Sequence, residues 1–219
     1  MGKEKTKPFE KWTRDDVELA FQVTGKDNVH PIFKNWLLSN YKTDGYEART
    51  LESLRIALGI NAQTWQEQEL IMHFIAPLLN MVRFYDNAAF SAFAHRKITA
   101  KIGEHDMNGK LDYFVAMGKS KPREPFFCVH EYKYAMRTEN DPLGQLLAGM
   151  ITAQKLNEPS EYPILGSYIV ERNWYFVVLA GKHYSVSRSF DATKADDILQ
   201  ILACLHFVKN DIIKRVEQK

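Results

Sequence analysis

The chain is poor in cysteine, and the little it has is arranged for neither a metal nor a disulfide. Only two of its 219 residues are cysteine, Cys128 and Cys204, far apart and inside apolar stretches, with no CxxC pair and no histidine at zinc-finger spacing. Structural zinc and a disulfide framework are therefore not expected, and a reducing cytosol is the natural setting. Long hydrophobic runs are missing too. The longest apolar candidate, from Pro142 to Gln154, falls short of the roughly 18 residues that a membrane helix needs. The charged start, Met1-Gly2-Lys3-Glu4-Lys5-Thr6, leads into no apolar run, so no secretory signal is expected. Gly2 with Thr6 fits the loose myristoylation pattern, one that recurs often by chance. Nor is there an excess of charge of one sign: 29 basic residues against 27 acidic ones leave a formal charge of +2. That balance excludes a histone-like or polybasic tail, but not an enzyme acting on nucleic acid. With no internal repeat or low-complexity segment, 45% hydrophobic and 26% charged residues describe a globular chain able to bury a core.

Residues 1–60 read as a small helical appendage. Thr13 with Asp16 opens one short helix, Pro31 starts a second that runs to Leu38, and Thr50 to Leu58 forms a third ending at Gly59. From Thr64 a longer amphipathic helix begins, with Ile71, Phe74, Ile75, Leu78 and Val82 at helical spacing and Pro77 kinking or tightening its last turns. After about residue 92 the hydrophobic period becomes two. His95 to Glu104 and Lys110 to Met117 are predicted strands joined through Met107-Asn108-Gly109, because Asn-Gly between alternating segments is a strong hairpin signal. Pro125 to Tyr134 is a third strand. Asp141 can cap a helix from Pro142 to about Leu156, after which strands are expected at Ile164 to Val170, Trp174 to Leu179 and His183 to Ser187. A last helix runs from Thr193 to about Arg215. This order predicts an α/β fold, a mixed sheet covered by helices, over residues 61–219.

Chemistry is concentrated in three short stretches. In a strand, Glu131 and Lys133 lie two apart and share a face with Phe127 and Val129, while Asp112 shares one with Phe114 and Ala116. Ionisable groups on such apolar faces are costly to bury without partners. Two adjacent strands can bring Asp112 and Glu131 together, and two close carboxylates repel unless a divalent cation sits between them. Oxygen ligands of this kind suit Mg²⁺ or Mn²⁺.

An aspartate on one core strand, a Glu-x-Lys on the next and a flanking helix make the segment from Thr64 to Ser187 resemble the PD-(D/E)XK, or restriction-endonuclease-like, nucleases. Asp112 and Glu131-Tyr132-Lys133 match the family pattern, with Leu111 where a proline often stands. Glu67 ahead of Phe74-Ile75-Ala76-Pro77-Leu78-Leu79 is similar to the opening of the nuclease domain of type I restriction enzyme motor subunits, and the whole chain is similar to small bacterial nuclease-domain proteins. The resemblance implies an αβββαβ core and Mg²⁺-dependent hydrolysis of DNA, endonucleolytic, with Mn²⁺ as a substitute and homodimers common among relatives. It implies a metal held by Asp112, Glu131, Glu67 and the backbone carbonyl of Tyr132, with Lys133 orienting the attacking water and Gln145 positioning Lys133 or a water. In the exonuclease branch a tyrosine follows that glutamine by four residues; here the position is Gly149.

Each of these residues has a plainer reading. Thr64-Trp65-Gln66-Glu67 is a capping-box sequence, which makes Glu67 a helix cap and leaves Glu69, on the opposite face, as a weaker candidate for the helix carboxylate. Asp112 can be a polar residue near a hairpin turn, Glu131 and Lys133 a cross-strand ion-pairing set, and Gln145 an exposed helix residue. Arg96, Lys97, Lys101, Lys119, Lys121 and Arg123 form a candidate DNA-facing rim, or else are simply solvated. Trp174, Tyr175 and Phe176 are expected in the core rather than stacked on bases. The alternative from another functional class is a nuclease-fold domain without catalysis that binds nucleic acid or protein.

Overall fold

A computed structural model describes residues 5–86, 89–133, 141–157 and 161–218, with side chains described throughout except at 5, 6, 86 and 128–133. From the N-terminus, β1 (Lys5–Lys7) leads through a 3-10 turn to α1 (Arg14–Phe21), β2 (Thr24–Gly25), α2 (Pro31–Leu37) and α3 (Gly45–Asn61). Next come α4 (Glu67–Leu70) and α5 (Ala76–Val82), separated by a π-turn over Ile71–Ile75, and then β3 (Tyr85–Asp86), β4 (Phe90–Ile102), β5 (His105–Met117) and β6 (Arg123–Lys133). The helix α6 (Pro142–Leu156) precedes β7 (Ile164–Val170), β8 (Asn173–Ala180), β9 (His183–Val186), β10 (Phe190–Asp191) and α7 (Ala195–Glu217).

The strands form one mixed, largely open sheet in the order β2-β9-β8-β7-β6-β5-β4-β3, with β1 added to β5 and β10 to β8. Most neighbours are antiparallel; β6 with β7, β1 with β5 and β2 with β9 are parallel. The β6–β7 pair needs a crossover, which is what α6 supplies. Each face of the sheet carries its own core. On one, α1 and α6 bury Phe93, Leu111, Phe114, Leu147 and Ile151 with Phe9 and Trp12; on the other, α2, α3, α5 and α7 bury Trp36, Leu78, Phe127, Phe176 and Leu205. The first sixty residues thus contribute to both cores. The Trp36 indole donates to the Cys204 carbonyl at 2.9 Å and meets Phe176 edge-on, ring centroids 5.0 Å apart. Trp174 and Phe176 are fully buried, as expected, whereas Tyr175 between them is only half-buried and stacks on Tyr168, ring centroids 4.6 Å apart.

The long hairpin differs from its sequence reading. Its turn is Gly103-Glu104, between the paired residues Ile102 and His105, with Gly103 at φ 59. Asn108 and Gly109 lie inside β5, opposite Thr99 and Ile98. Gly109 is there for another reason: a Cβ on it would fall 2.2 Å from the Phe9 ring, so glycine is what lets the N-terminal segment lie on the sheet. Other boundaries move for similar local causes. Asp44 and Glu47 make a reciprocal capping box, so α3 begins at Gly45, and Gly59 sits inside the helix beside open space rather than ending it. Ahead of Pro77 the chain widens rather than tightens: the Ala76 amide donates to the Ile71 carbonyl, five residues back. Asp141 caps α6 as expected, its Oδ1 accepting from the Gly144 amide at 2.9 Å.

Gly109→Ala is expected to lower stability by about 1–3 kcal/mol through overpacking against Phe9. In urea denaturation a double mutant that also carries Phe9→Ala should lose less than the sum of the two single losses; strict additivity would show that the close approach carries no energy.

Candidate active site

Strand β5 changes partner halfway along. Since β4 pairs with one edge of β5 from Phe90↔Met117 to Ile102↔His105, both other partners must share the remaining edge. Residues 113–117 of β5 pair there with β6, as far as Tyr113↔Val129, whereas residues 105–107 pair with β1. Beyond Val129, β6 stays on β7, through Tyr132↔Ile169 and Lys133↔Val170. The two strands therefore separate at Asp112, leaving a crevice between residues 108–112 and the C-terminal end of β6. Crevices outside the carboxyl ends of strands are where open α/β sheets receive ligands.

Regular alternation fails at the same level on three neighbouring strands. Phe93 and Phe114 face the α6 core, with ring centroids 5.5 Å apart, and so do Ile98 and Leu111. Tyr113 instead packs beside Phe84 in the opposite core, 6.2 Å between centroids. The register is the same at Ala94↔Tyr113 and at Arg96↔Leu111, so His95 and Asp112 occupy the level between them, an additional rung at which the pairing itself is interrupted. A strict period of two would send Phe93 and Ile98 to opposite faces; the extra rung returns both to one core. His95 takes up the change in left-handed backbone, φ 51, with Nδ1 3.6 Å from Asp112 Oδ1. On β6, His130↔Tyr168 is followed by Tyr132↔Ile169, so that Glu131 is the extra residue of a bulge. Bulges re-aim side chains and are over-represented beside active sites.

This corrects one of the plainer readings: Asp112 lies in mid-strand rather than beside a turn. Its side chain is 21% exposed. Extending the β5–β6 register by one residue sets Asp112 level with His130, and so next to Glu131 along the crevice. The directions of the Glu131, Tyr132 and Lys133 side chains lie outside the described residues; their backbone positions, in the bulge and just after it, do not. Sequence reasoning missed His95. Its signal was the Gly103-Glu104 turn, which alone pairs it with Asp112.

From the α6 side comes an unusual group. Gln145 is 1% exposed, not a surface residue, and neither its amide oxygen nor its nitrogen has a hydrogen-bond partner among the described residues. Buried polar groups are nearly always paired, so an orphaned amide asks for an explanation. It lies one turn before Gly149 on the same helix face. A Cβ on Gly149 would come within 2.6 Å of Leu111 Cδ2, which brings that face onto the residue next to Asp112 and leaves no space for a tyrosine at 149. Its helical turn is firmly held. Besides its own cap, Asp141 accepts the Arg14 amide through Oδ2 at 2.5 Å, and Gly144 without a Cβ lets the start of α1 approach.

On the other face of the sheet α4 approaches β6. The box that caps α4 is formed by Gln66 and Glu69, the Gln66 amide donating to Glu69 Oε2 at 2.8 Å. The capping role thus belongs to Glu69 and not to Glu67, which is the first residue of the helix. Among the described residues no three His, Cys, Asp or Glu side chains cluster closely enough to hold a metal ion; the side chain of Glu131 is not in that set. The expected basic rim divides in two. Arg96, Lys97 and Lys101 are exposed on β4, while Lys119, Lys121 and Arg123 lie at the far end, where Arg123 pairs with Met117. Five residues of strand, about 17 Å, separate Met117 from Asp112.

No family model matches this chain, and no curated protein matches it significantly.

Gln145→Met, which keeps the volume and removes the orphaned amide, is expected to raise the stability of the metal-free protein by about 1–3 kcal/mol in urea denaturation. A loss of stability would show that the amide is satisfied in the folded state.

Proposed function

We propose that the chain is a Mg²⁺-dependent nuclease, hydrolysing phosphodiester bonds of DNA endonucleolytically on a restriction-endonuclease-like core. The observation that carries this reading is the crevice where β5 and β6 separate. It puts Asp112 at the level of the bulge that bears Glu131, with a buried amide on the helix face above, Gln145, that has no partner among the described residues. The chain order of α4 and α5, three long strands β4–β6, α6 and β7 agrees with an αβββαβ core.

The residues suit a hard cation. Asp112 and Glu131 offer carboxylate oxygens, the Tyr132 carbonyl a neutral one, and Glu67, on the short helix α4 that approaches β6, a further carboxylate. Bound there, a divalent ion supplies charge neutralisation at the phosphate and a more acidic water. The protein's own groups do the rest. Lys133 is assigned to orient the attacking water through its ammonium and to offset charge that develops on the phosphate oxygens. Gln145, with one donor and one acceptor end, is assigned to hold Lys133 or that water in place. The low exposure of Asp112 strengthens each of these interactions relative to bulk water.

Purified protein with Mg²⁺ or Mn²⁺ is expected to nick or linearise plasmid DNA, and Asp112→Asn or Glu131→Gln to reduce the rate more than about 100-fold, beyond the range typical of residues that only support a ligand. Mn²⁺ binding followed by electron paramagnetic resonance should weaken in the same two variants. Intact plasmid with the parent protein, or cleavage by Asp112→Asn at the parent's rate, would overturn the proposal.

A further inference from the structure

The hairpin of β4 and β5 carries a rung that its fold does not explain. Lys97 and Lys110 are directly opposite one another, both are exposed, and neither has an ion pair or hydrogen bond among the described residues. Residues paired across an antiparallel rung point to the same face, with Cβ atoms about 5 Å apart, and like charges so placed destabilise the sheet. Packing does not require them: the inner face of this hairpin is made by Ile98, Met107, Gly109 and Leu111, which alternate with the two lysines. Basic residues on an edge strand guard against edge-to-edge pairing, which accounts for Lys97 but not for a second lysine facing it. The outermost charged rung, Lys101↔Asp106, carries opposite signs.

Position along the hairpin gives the pair a use. Lys110 is two residues from Asp112, and Lys97 two from His95, so the lysine rung is the next but one after the His95–Asp112 rung. Two residues of strand span about 7 Å, close to the separation of neighbouring phosphates along one nucleic-acid strand. One rung further but one, Thr99↔Asn108 adds two uncharged hydrogen-bonding side chains on the same face.

We propose that Lys97 and Lys110 together grip the DNA phosphate adjacent to the one at Asp112, and that the exposed face of the β4–β5 hairpin is the track along which the substrate strand leaves the crevice. This rests on the nuclease reading for the identity of the substrate, but it makes a separate statement about binding. Two ammonium groups converging on one phosphate turn a like-charge cost into a paired interaction when DNA is present.

The test uses full-length protein carrying Asp112→Asn, without metal, titrated with a fluorescein-labelled DNA duplex from about 50 to 200 mM salt. Adding Lys97→Gln and Lys110→Gln is expected to weaken binding and to lower the slope of log affinity against log salt by about 1 for each lysine; Lys97→Arg with Lys110→Arg should retain the slope. In the otherwise unaltered protein the glutamine pair should raise KM for cleavage while leaving kcat within about two-fold. If cleavage is observed but the glutamine pair leaves salt slope and KM unchanged, the lysine grip is overturned and the nuclease reading stands. If no cleavage is found yet the lysine-dependent slope persists, the grip stands and the nuclease reading falls.

Discussion

One edge of β5 cannot pair with two strands at the same residues, and the exchange of β6 for β1 along that edge shapes the rest of the molecule. Where β6 leaves, at Asp112, five residues of β5, 108–112, lie on that edge paired with neither β6 nor β1, and a sheet that continued regularly would have no opening there. Phe9 is drawn onto β5 at Gly109, and α6 is drawn down at Gly149 onto Leu111 and Phe9. Glycine is needed at both points because any side chain would meet a ring or a methyl group already in place. The crevice is thus a consequence of partner exchange, with apolar burial against Phe9 and Leu111 on its α6 side.

Three features around the crevice are, by contrast, departures from regular sheet and helix packing. A histidine in left-handed backbone faces a carboxylate beyond hydrogen-bond distance, a bulge interrupts β6, and an amide with two hydrogen-bonding ends is buried with no described partner. Each feature costs stability, of the order of 1–3 kcal/mol for a strained residue or an orphaned group. Such costs are concentrated at one level of three adjacent strands, while both cores are closely packed, and local violations of this kind are what the proposed site would account for.

Charge follows the same division. The formal total of +2 conceals a local segregation: the β4–β5 hairpin carries Asp112 and, two residues away, the like-charged Lys97↔Lys110 rung. The distant basic residues, Lys119, Lys121 and Arg123, belong to another end of the sheet.

Sequence alone determined the sheet-and-helix order, the α6 cap at Asp141 and Pro142, the core placement of Trp174 and Phe176, and the choice of Asp112, Glu131, Lys133 and Gln145 as residues to weigh. Those depend on local periodicity, capping chemistry and residue type, which act over a few positions. It misplaced the hairpin turn because Asn108-Gly109 satisfies turn chemistry as well as Gly103-Glu104 does, and only the Phe9 ring, a hundred residues away in the chain, reveals what Gly109 is for. With the turn misplaced, neither the His95–Asp112 rung nor the Lys97–Lys110 rung was legible, since a register error re-pairs every residue of a strand. Likewise a capping box can be read at Glu67 or at Glu69, and only the chain's actual entry into α4 decided for Glu69. The crevice itself belongs wholly to the tertiary structure, because it arises from which of two distant strands occupies each half of one edge.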